Sequence, residues 1–379
     1  MSGPPTRPPC VCFWTFNLFC YGDGDTPEDH ARYEMLHQLI RAGHARAAAA
    51  GDVFVLAVQE LVARDPDDPA SRPHRGRPIR HWFRARPDKA RLAGHRLAQL
   101  AEATGLRYQY APNKPAVGVG TKRFHTGLLW DEQITPAGGF ITLPGTGPWD
   151  SMSMVGLDLD VGARTPVKHA SHHAPADGMN LRADGAERVL KAMTDARGYR
   201  PGVLGQDGNS TSADWIPLHK LDTEHGEADT WVQYEPDPYL INPVTGEPVR
   251  WRRSFANQCT VTRDREGHRT WQADRRPGEV LFEGGLYDSA AALRMLPWQP
   301  TVGHWPGDLD GPRRLDITRI TKEVVPALIS CEVISTAPIP TIPISVIRQQ
   351  RSIDPKKASD HLAFETCYNP AMISRECTI

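Results

Sequence analysis

Two kinds of apolar pattern alternate through the first half of the chain. Residues 11–19 are almost all apolar or aromatic and run into Tyr21-Gly22-Asp23-Gly24, the pattern of a strand entering a turn. Thr26-Pro27-Glu28-Asp29 then carries a helix start, with a hydroxyl at the cap, proline at the first position and acids in the first turn. Leu36, Leu39 and Ile40 supply its buried stripe, and the helix fades through alanines before Gly51. Val53-Phe54-Val55-Leu56-Ala57-Val58 is a short continuous apolar run, which predicts a strand buried on both faces, and an acid, Glu60, stands at its end. A second helix is predicted over 88–104, with Leu92, Leu97, Leu100 and Ala101 inward and Gly105 at its stop. Strands follow at 126–130, 154–157 and 167–171, then a helix over 183–197 and a short strand at 202–205. Over 231–300 the pattern gives only short strands and long loops.

Composition changes this picture little. With 379 residues, 40% hydrophobic and 23% charged, the chain resembles an ordinary globular enzyme that can bury a large core. No repeat or low-complexity linker divides it, so residues 1–379 are expected to form one domain, with 1–10 and 369–379 as flexible tails. The formal net charge of −1 does not favour strong non-specific duplex binding, which draws its affinity from phosphate neutralisation. A local exception is the Pro/Arg-rich stretch over 64–88, expected as a surface loop; residues 64–91 hold nine Arg and Lys against four Asp. Seven scattered cysteines match neither a disulfide framework nor a zinc ribbon. No apolar run approaches the ~20 residues of a membrane span, and no signal-like region follows Met1, so a cytoplasmic, monomeric protein is expected.

The chemistry lies in polar residues placed where buried strands end: Asn17, Glu60, His172, Asp207 with Asn209, Asp316, and Asp360 with His361. Each alone is a common surface or turn residue. Together they supply what phosphoester hydrolysis needs: carboxylates for a hard cation, a base to take a proton from water, and donors for charge growing on phosphorus. His169, His172 and His173 also invite a transition-metal reading, but residues 169 and 172 of a strand point to opposite faces.

The order of these motifs resembles that of the endonuclease/exonuclease/phosphatase superfamily, the group with the fold of deoxyribonuclease I. Thr15-Phe16-Asn17-Leu18 resembles its first-strand Asn motif, and Val58-Gln59-Glu60 its Gln-Glu metal motif. Ser171-His172-His173-Ala174-Pro175 is similar to its strand ending in His, and Gly205-Gln206-Asp207-Gly208-Asn209 to its Gly-Asp-x-Asn motif. Arg314-Leu315-Asp316 resembles its Arg-Ile-Asp motif, and Ser359-Asp360-His361-Leu362 its terminal Ser-Asp-His motif. The resemblance implies a four-layer αββα sandwich of two mixed sheets with helices outside, and a divalent-metal-dependent hydrolase that uses a metal- and His/Asp-activated water. It implies Mg²⁺ or Mn²⁺ held by Glu60 with Asn17 and Asp360, and a base, His361, oriented by Asp316. Asp207 and Asn209 would position water and phosphate, Asp207 sharing the base's role. His172 would donate to a phosphate oxygen, and Arg314 with Asn209 and His172 would contact substrate.

The sequence departs from the pattern in places. Gln206 stands for Gly, Gly208 for a bulky residue, His173 for Leu, and Arg313-Arg314 where abasic-site nucleases place an aromatic. The leading expectation is a nuclease or phosphodiesterase, with nucleic acid as a plausible partner. A phosphatase or phosphodiesterase on a small or lipid phosphoester is the alternative, and an inactive binding module with the same fold is a third.

Overall fold

The computed structural model describes residues 8–63, 86–120, 123–144, 152–176, 178–218, 230–306, 308, 310–336 and 354–374. Twelve strands form two six-stranded sheets. In chain order these and the main helices are β1 (Val11–Tyr21), α1 (Pro27–Ala49), β2 (Val53–Val62), α2 (Arg86–Thr104), β3 (Val117–Gly118), β4 (Phe124–Trp130), β5 (Thr135–Pro144), β6 (Ser153–Asp160), β7 (Val167–His173), α3 (Met179–Thr194), β8 (Gly202–Asp207), α4 (Arg276–Glu283), β9 (Leu286–Asp288), β10 (Asp316–Thr321), β11 (Leu328–Val333) and β12 (Phe364–Tyr368). The first sheet runs β11-β12-β1-β2-β4-β3 and the second β9-β10-β8-β7-β6-β5. Both are mixed: β1 and β2 are parallel, as are β7 and β8, among antiparallel neighbours.

The sheets pack face to face, with alternate residues of each strand turned to opposite sides. Phe13, Val55, Ala57, Trp130, Leu157, Val167, Val203 and Ile320 fill the space between them. The other face of the first sheet, through Trp14, Phe16, Leu56 and Val58, packs on Leu36, Leu39 and Ile40 of α1 and Leu97 and Leu100 of α2. Ala170 and Leu204 of the second sheet pack on Val189 and Met193 of α3 and Leu281 of α4. The result is the expected αββα sandwich. Thr26 caps α1, and Asp29 returns the bond to the cap in a capping box.

Several elements differ from the sequence pattern. The helix expected over 183–197 starts at Met179, behind a left-handed Gly178, and ends at Thr194, with a 3₁₀ turn at Ala196–Gly198. Nothing in the pattern predicts β5, because Pro and Gly break its alternation; it is a largely exposed edge strand, where such residues are tolerated. The 231–300 stretch holds α4 and a regular hairpin, Cys259–Arg263 with Arg269–Ala273, as well as loops. Residues 86–88, expected in the surface loop, open α2, while 64–85 lie outside the described residues. The expected tails contain packed residues: Cys10 is buried and donates its N–H to Asp52, and a 3₁₀ turn at Pro370–Met372 docks through Asn369 N–H to the Ala327 carbonyl.

Candidate active site

One end of the sandwich gathers the polar residues. The two sheets approach closely at Gly205 of β8, where an added Cβ would lie 2.8 Å from the Thr15 Cβ and 2.9 Å from the Ala57 Cβ. Beside it, Gln59 of the first sheet donates to Ser171 of the second at 3.1 Å, and Ser171 donates to the Val58 carbonyl at 2.8 Å. This bridge forms the floor. Beyond it the strand ends present Asn17, Glu60, His173 and Asp207 to a common space.

Strand parity decides which side chains enter. On β1, Phe13, Thr15 and Asn17 share the inner face, and on β2 Val55, Ala57 and Gln59 do. Glu60 would by alternation point outward. Its left-handed φ of 61° and a register shift between Val58 and Leu61 break the alternation, so Leu61 returns to the outer core while Glu60 turns to the site. Cys20, itself left-handed, donates its N–H to Glu60 Oε2 at 2.9 Å. Asn209 is left-handed as well, with φ 45°. Non-glycine residues in this region cost roughly 1–3 kcal/mol each and persist where the surroundings over-determine them.

Asp207 is the hub. Its Oδ2 accepts from Asn17 Nδ2 at 2.8 Å, its Oδ1 accepts from the Asn209 N–H at 3.0 Å, and His173 Nε2 lies 3.6 Å from Oδ2. Asn209 Nδ2 donates to the Ala174 carbonyl at 3.0 Å, tying the two strand ends together. His173 Nε2 also lies 3.9 Å from Glu60 Oε1. Across the site, β8 and β10 pair Asp207 with Asp316, and Asp316 Oδ2 lies 2.7 Å from His361 Nδ1. His361 Nε2 then faces Asp207 Oδ2 at 4.0 Å. Ser359 fixes this loop by donating to the Asn17 carbonyl at 2.8 Å and accepting the His361 N–H at 3.1 Å.

Electrostatics test whether a cation suits these residues. Burial pushes Asp360 up to about 6, and Glu60, Asp207 and Asp316 push the same way, while His361 opposes them. Burial alone would lower His361, yet Asp316 first, then Asp207 and Asp360, hold its pKa well above the ordinary 6.5. The site therefore carries more negative charge than its protein partners balance. Glu60, Asp207 and His173 bring ligand atoms within 4.8 Å of one another, as do Asp207, Asp316 and His361. Carboxylate oxygens are what Mg²⁺ or Mn²⁺ prefers, so the donor set fits a hard divalent cation.

No protein-family model matches the chain, and no curated protein matches it. Solved structures do. An endonuclease/exonuclease/phosphatase from Bacteroides vulgatus aligns over 95% of this chain and 98% of its own, with 12% identity and a TM-score of 0.51. The fold is that of the endonuclease/exonuclease/phosphatase proteins. A family member from Bacteroides thetaiotaomicron gives 14% identity and a TM-score of 0.48 over 95% and 98% of the two chains. A mannosyl-6-phosphatase from the same organism gives 13% and 0.49 over 94% and 98%.

Within this fold the structure brings together Asn17, Glu60, Asp207, Asn209, Asp316, Asp360 and His361. Two other expected residues do not join them. His172 points to the opposite face of β7, where it is buried beside Gln206. Burial, with His173 adding to it, pushes its pKa down to about 3, so it is neutral and cannot offer a positive donor to phosphate. His173, one residue on, shares the inner face with Asp207 and takes the place expected for His172. Arg314 is fully buried, donates to both oxygens of Asp288 and lies 3.2 Å from Glu235, so it has no surface to offer a substrate. Asn17 is placed at the site, but its Oδ1 already accepts the Phe19 N–H at 2.9 Å while its Nδ2 holds Asp207. Its amide is thus a brace for Asp207 more than an open ligand. His169 lies deeper, between Phe13 and Tyr368, with Nε2 2.7 Å from the Tyr368 hydroxyl.

The two adjacent histidines give a direct comparison. His173→Ala is expected to lower kcat for a phosphodiester by about 10²- to 10³-fold, the cost of removing one transition-state donor. His172→Ala is expected to leave kcat near wild type. Steady-state kinetics on bis-p-nitrophenyl phosphate read the difference, and the reverse order would return the role to His172.

Proposed function

We propose that this chain is a divalent-metal-dependent phosphodiesterase that cleaves nucleic acid. The observation that carries the reading is the meeting of Glu60 and Asp207 with the Asp316–His361 pair at one end of a two-sheet sandwich. Asn17 contributes by holding Asp207 in place.

Glu60, with Asp207 and Asp360, would hold Mg²⁺ or Mn²⁺, which would supply positive charge to the phosphate oxygens. Asp316 fixes the His361 ring by accepting from Nδ1; a bound cation would offset the acids that hold this ring's pKa up, so that Nε2, facing the cleft and Asp207, would be free to accept a proton. Water loses a proton to His361 Nε2, with Asp207 orienting it, and its oxygen bonds to phosphorus as the P–O bond to the leaving alkoxide breaks. His173 Nε2, between Glu60 and Asp207, donates to a non-bridging oxygen as charge grows there. Asn209, pinned to Ala174 and Asp207, keeps the phosphate beside the base.

Incubation of the purified chain with plasmid DNA, single-stranded DNA and RNA, in Mg²⁺, in Mn²⁺ and in EDTA, tests the proposal. Cleavage that EDTA abolishes is expected. Intact nucleic acid together with phosphate release from small phosphomonoesters would replace this reading by the phosphatase one. Among the described residues no helix is long and apolar enough to cross a membrane.

A further inference from the structure

Arginine is unevenly spread over this near-neutral protein. Between residues 250 and 269 the chain carries six arginines, Arg250, Arg252, Arg253, Arg263, Arg265 and Arg269, against only Asp264 and Glu266. That is an excess of four positive charges in a chain whose formal net charge is −1. All six are exposed, and among the described residues none of them is ion-paired to a carboxylate. The stretch contains no lysine. From this cluster and its anchorage, we propose that residues 250–269 form an arm that docks the sugar-phosphate backbone of nucleic acid alongside the candidate active site; the inference rests on the phosphodiesterase reading.

The arm has a built base. Trp251 packs 5.4 Å from Trp271 and 5.9 Å from Phe255, and Phe255 packs 5.0 Å from Tyr239. Trp271 Nε1 donates to the Tyr239 carbonyl at 2.8 Å. The hairpin rises from this base in regular register, from Cys259 opposite Ala273 to Arg263 opposite Arg269. Arg269 lies over the Trp251 ring at 4.9 Å, so this charge is held in place by the aromatic base.

Its roots lead to the site. Arg182, buried on α3, donates to the Ala176 carbonyl, three residues beyond His173, and to the Asn257 carbonyl at the foot of the hairpin. The other limb continues into Arg275, which donates to the Ser212 carbonyl, just past Asn209, and to the Glu235 carbonyl. The arm therefore hangs from the two segments that leave the site.

Unpaired, exposed arginines repel one another, and a polyanion relieves that repulsion. The guanidinium fork matches a phosphate with two parallel hydrogen bonds, which an ammonium does not. Several such groups exposed on one arm suit a polyanion that carries many phosphates. An anionic membrane would use the same charges, and the test separates the two.

The test is binding of a fluorescein-labelled 30-nucleotide single strand and of the matching duplex by the full chain in EDTA, over a range of salt. The variant is Arg252→Glu/Arg253→Glu/Arg263→Glu/Arg265→Glu, with the Arg→Gln set as a milder companion. The variant is expected to bind about tenfold or more weakly, with the log K against log salt slope reduced by roughly one for each phosphate no longer neutralised. Its turnover of bis-p-nitrophenyl phosphate, which is too small to reach the arm, is expected to stay at the wild-type level. Unchanged affinity and salt slope in both variants would overturn the arm, as would binding to phosphatidylserine vesicles with none to nucleic acid. Wild-type protein that binds nucleic acid but never hydrolyses bis-p-nitrophenyl phosphate would sink the phosphodiesterase reading and leave the arm standing.

Discussion

His361→Ala is expected to lower kcat for phosphodiester hydrolysis by about 10²- to 10⁴-fold, the range for loss of a positioned general base. The ring has one nitrogen committed to the fully buried Asp316 and the other facing Asp207 across 4.0 Å. Removing it leaves water with no acceptor of comparable placement, because Asp207 is already engaged by Asn17 and by the Asn209 N–H. Asp316→Asn should follow in the same direction: the amide can donate to Nδ1 and so strand the proton on Nε2, where the base must be free. KM should change much less than kcat in both variants, since neither side chain anchors the substrate. Parallel kinetics on bis-p-nitrophenyl phosphate check this, and wild-type kcat in His361→Ala would remove His361 from the chemistry.

Arg314→Ala is expected to cost about 3–5 kcal/mol of folding stability, the range for breaking a buried charge pair from one side. Against the roughly 5–15 kcal/mol that holds a typical domain together, this is severe. Arg314 sits with Asp288 and Glu235 in full burial. Burial pushes both carboxyls up; Arg314, the largest opposing influence on each, is what lets Asp288 lie below its ordinary range, while Glu235 remains raised. Without it two acids face each other unpaired. Around them Arg319 pairs with Asp214, and Asp214 accepts the Asp288 N–H at 2.7 Å, so the damage spreads to the segment that follows Asn209. Arg314→Lys should rescue only part of the stability, since an ammonium cannot bond both oxygens of Asp288 in the forked geometry. Urea unfolding midpoints measure it. Wild-type stability with a raised KM would instead restore the substrate contact that the Arg-Leu-Asp motif suggests.

The contrast between these residues shows what the sequence could and could not carry. β1, β2, α1 and α2 are legible because long apolar runs and helix stripes are dictated by burial, and these elements carry or flank Asn17 and Glu60. The acids and His361 are legible because each stands where a buried strand ends, a place where a charge is costly unless it has a task. Choosing between His172 and His173 needs the parity of β7 against β8, and neighbouring histidines look alike until the register sets His173 beside Asp207. Glu60 lies on the outward parity of its strand and reaches the site only through a left-handed bulge, which no propensity announces. Arg314 has the motif's spacing but not its expected role, because its acid partners Glu235 and Asp288 come from segments far along the chain. β5, with two glycines and two prolines in ten residues, is held by pairing along an edge and carries no readable alternation.

The most direct measurement is the hydrolysis rate of bis-p-nitrophenyl phosphate by the wild-type chain as Mg²⁺ is titrated in after exhaustive EDTA treatment, with Glu60→Gln run in parallel. No turnover in EDTA, saturable recovery with Mg²⁺, and recovery in Glu60→Gln that needs far more metal or fails are expected. Turnover that persists in EDTA, or a Glu60→Gln curve that overlays the wild type, would contradict the metal-dependent reading.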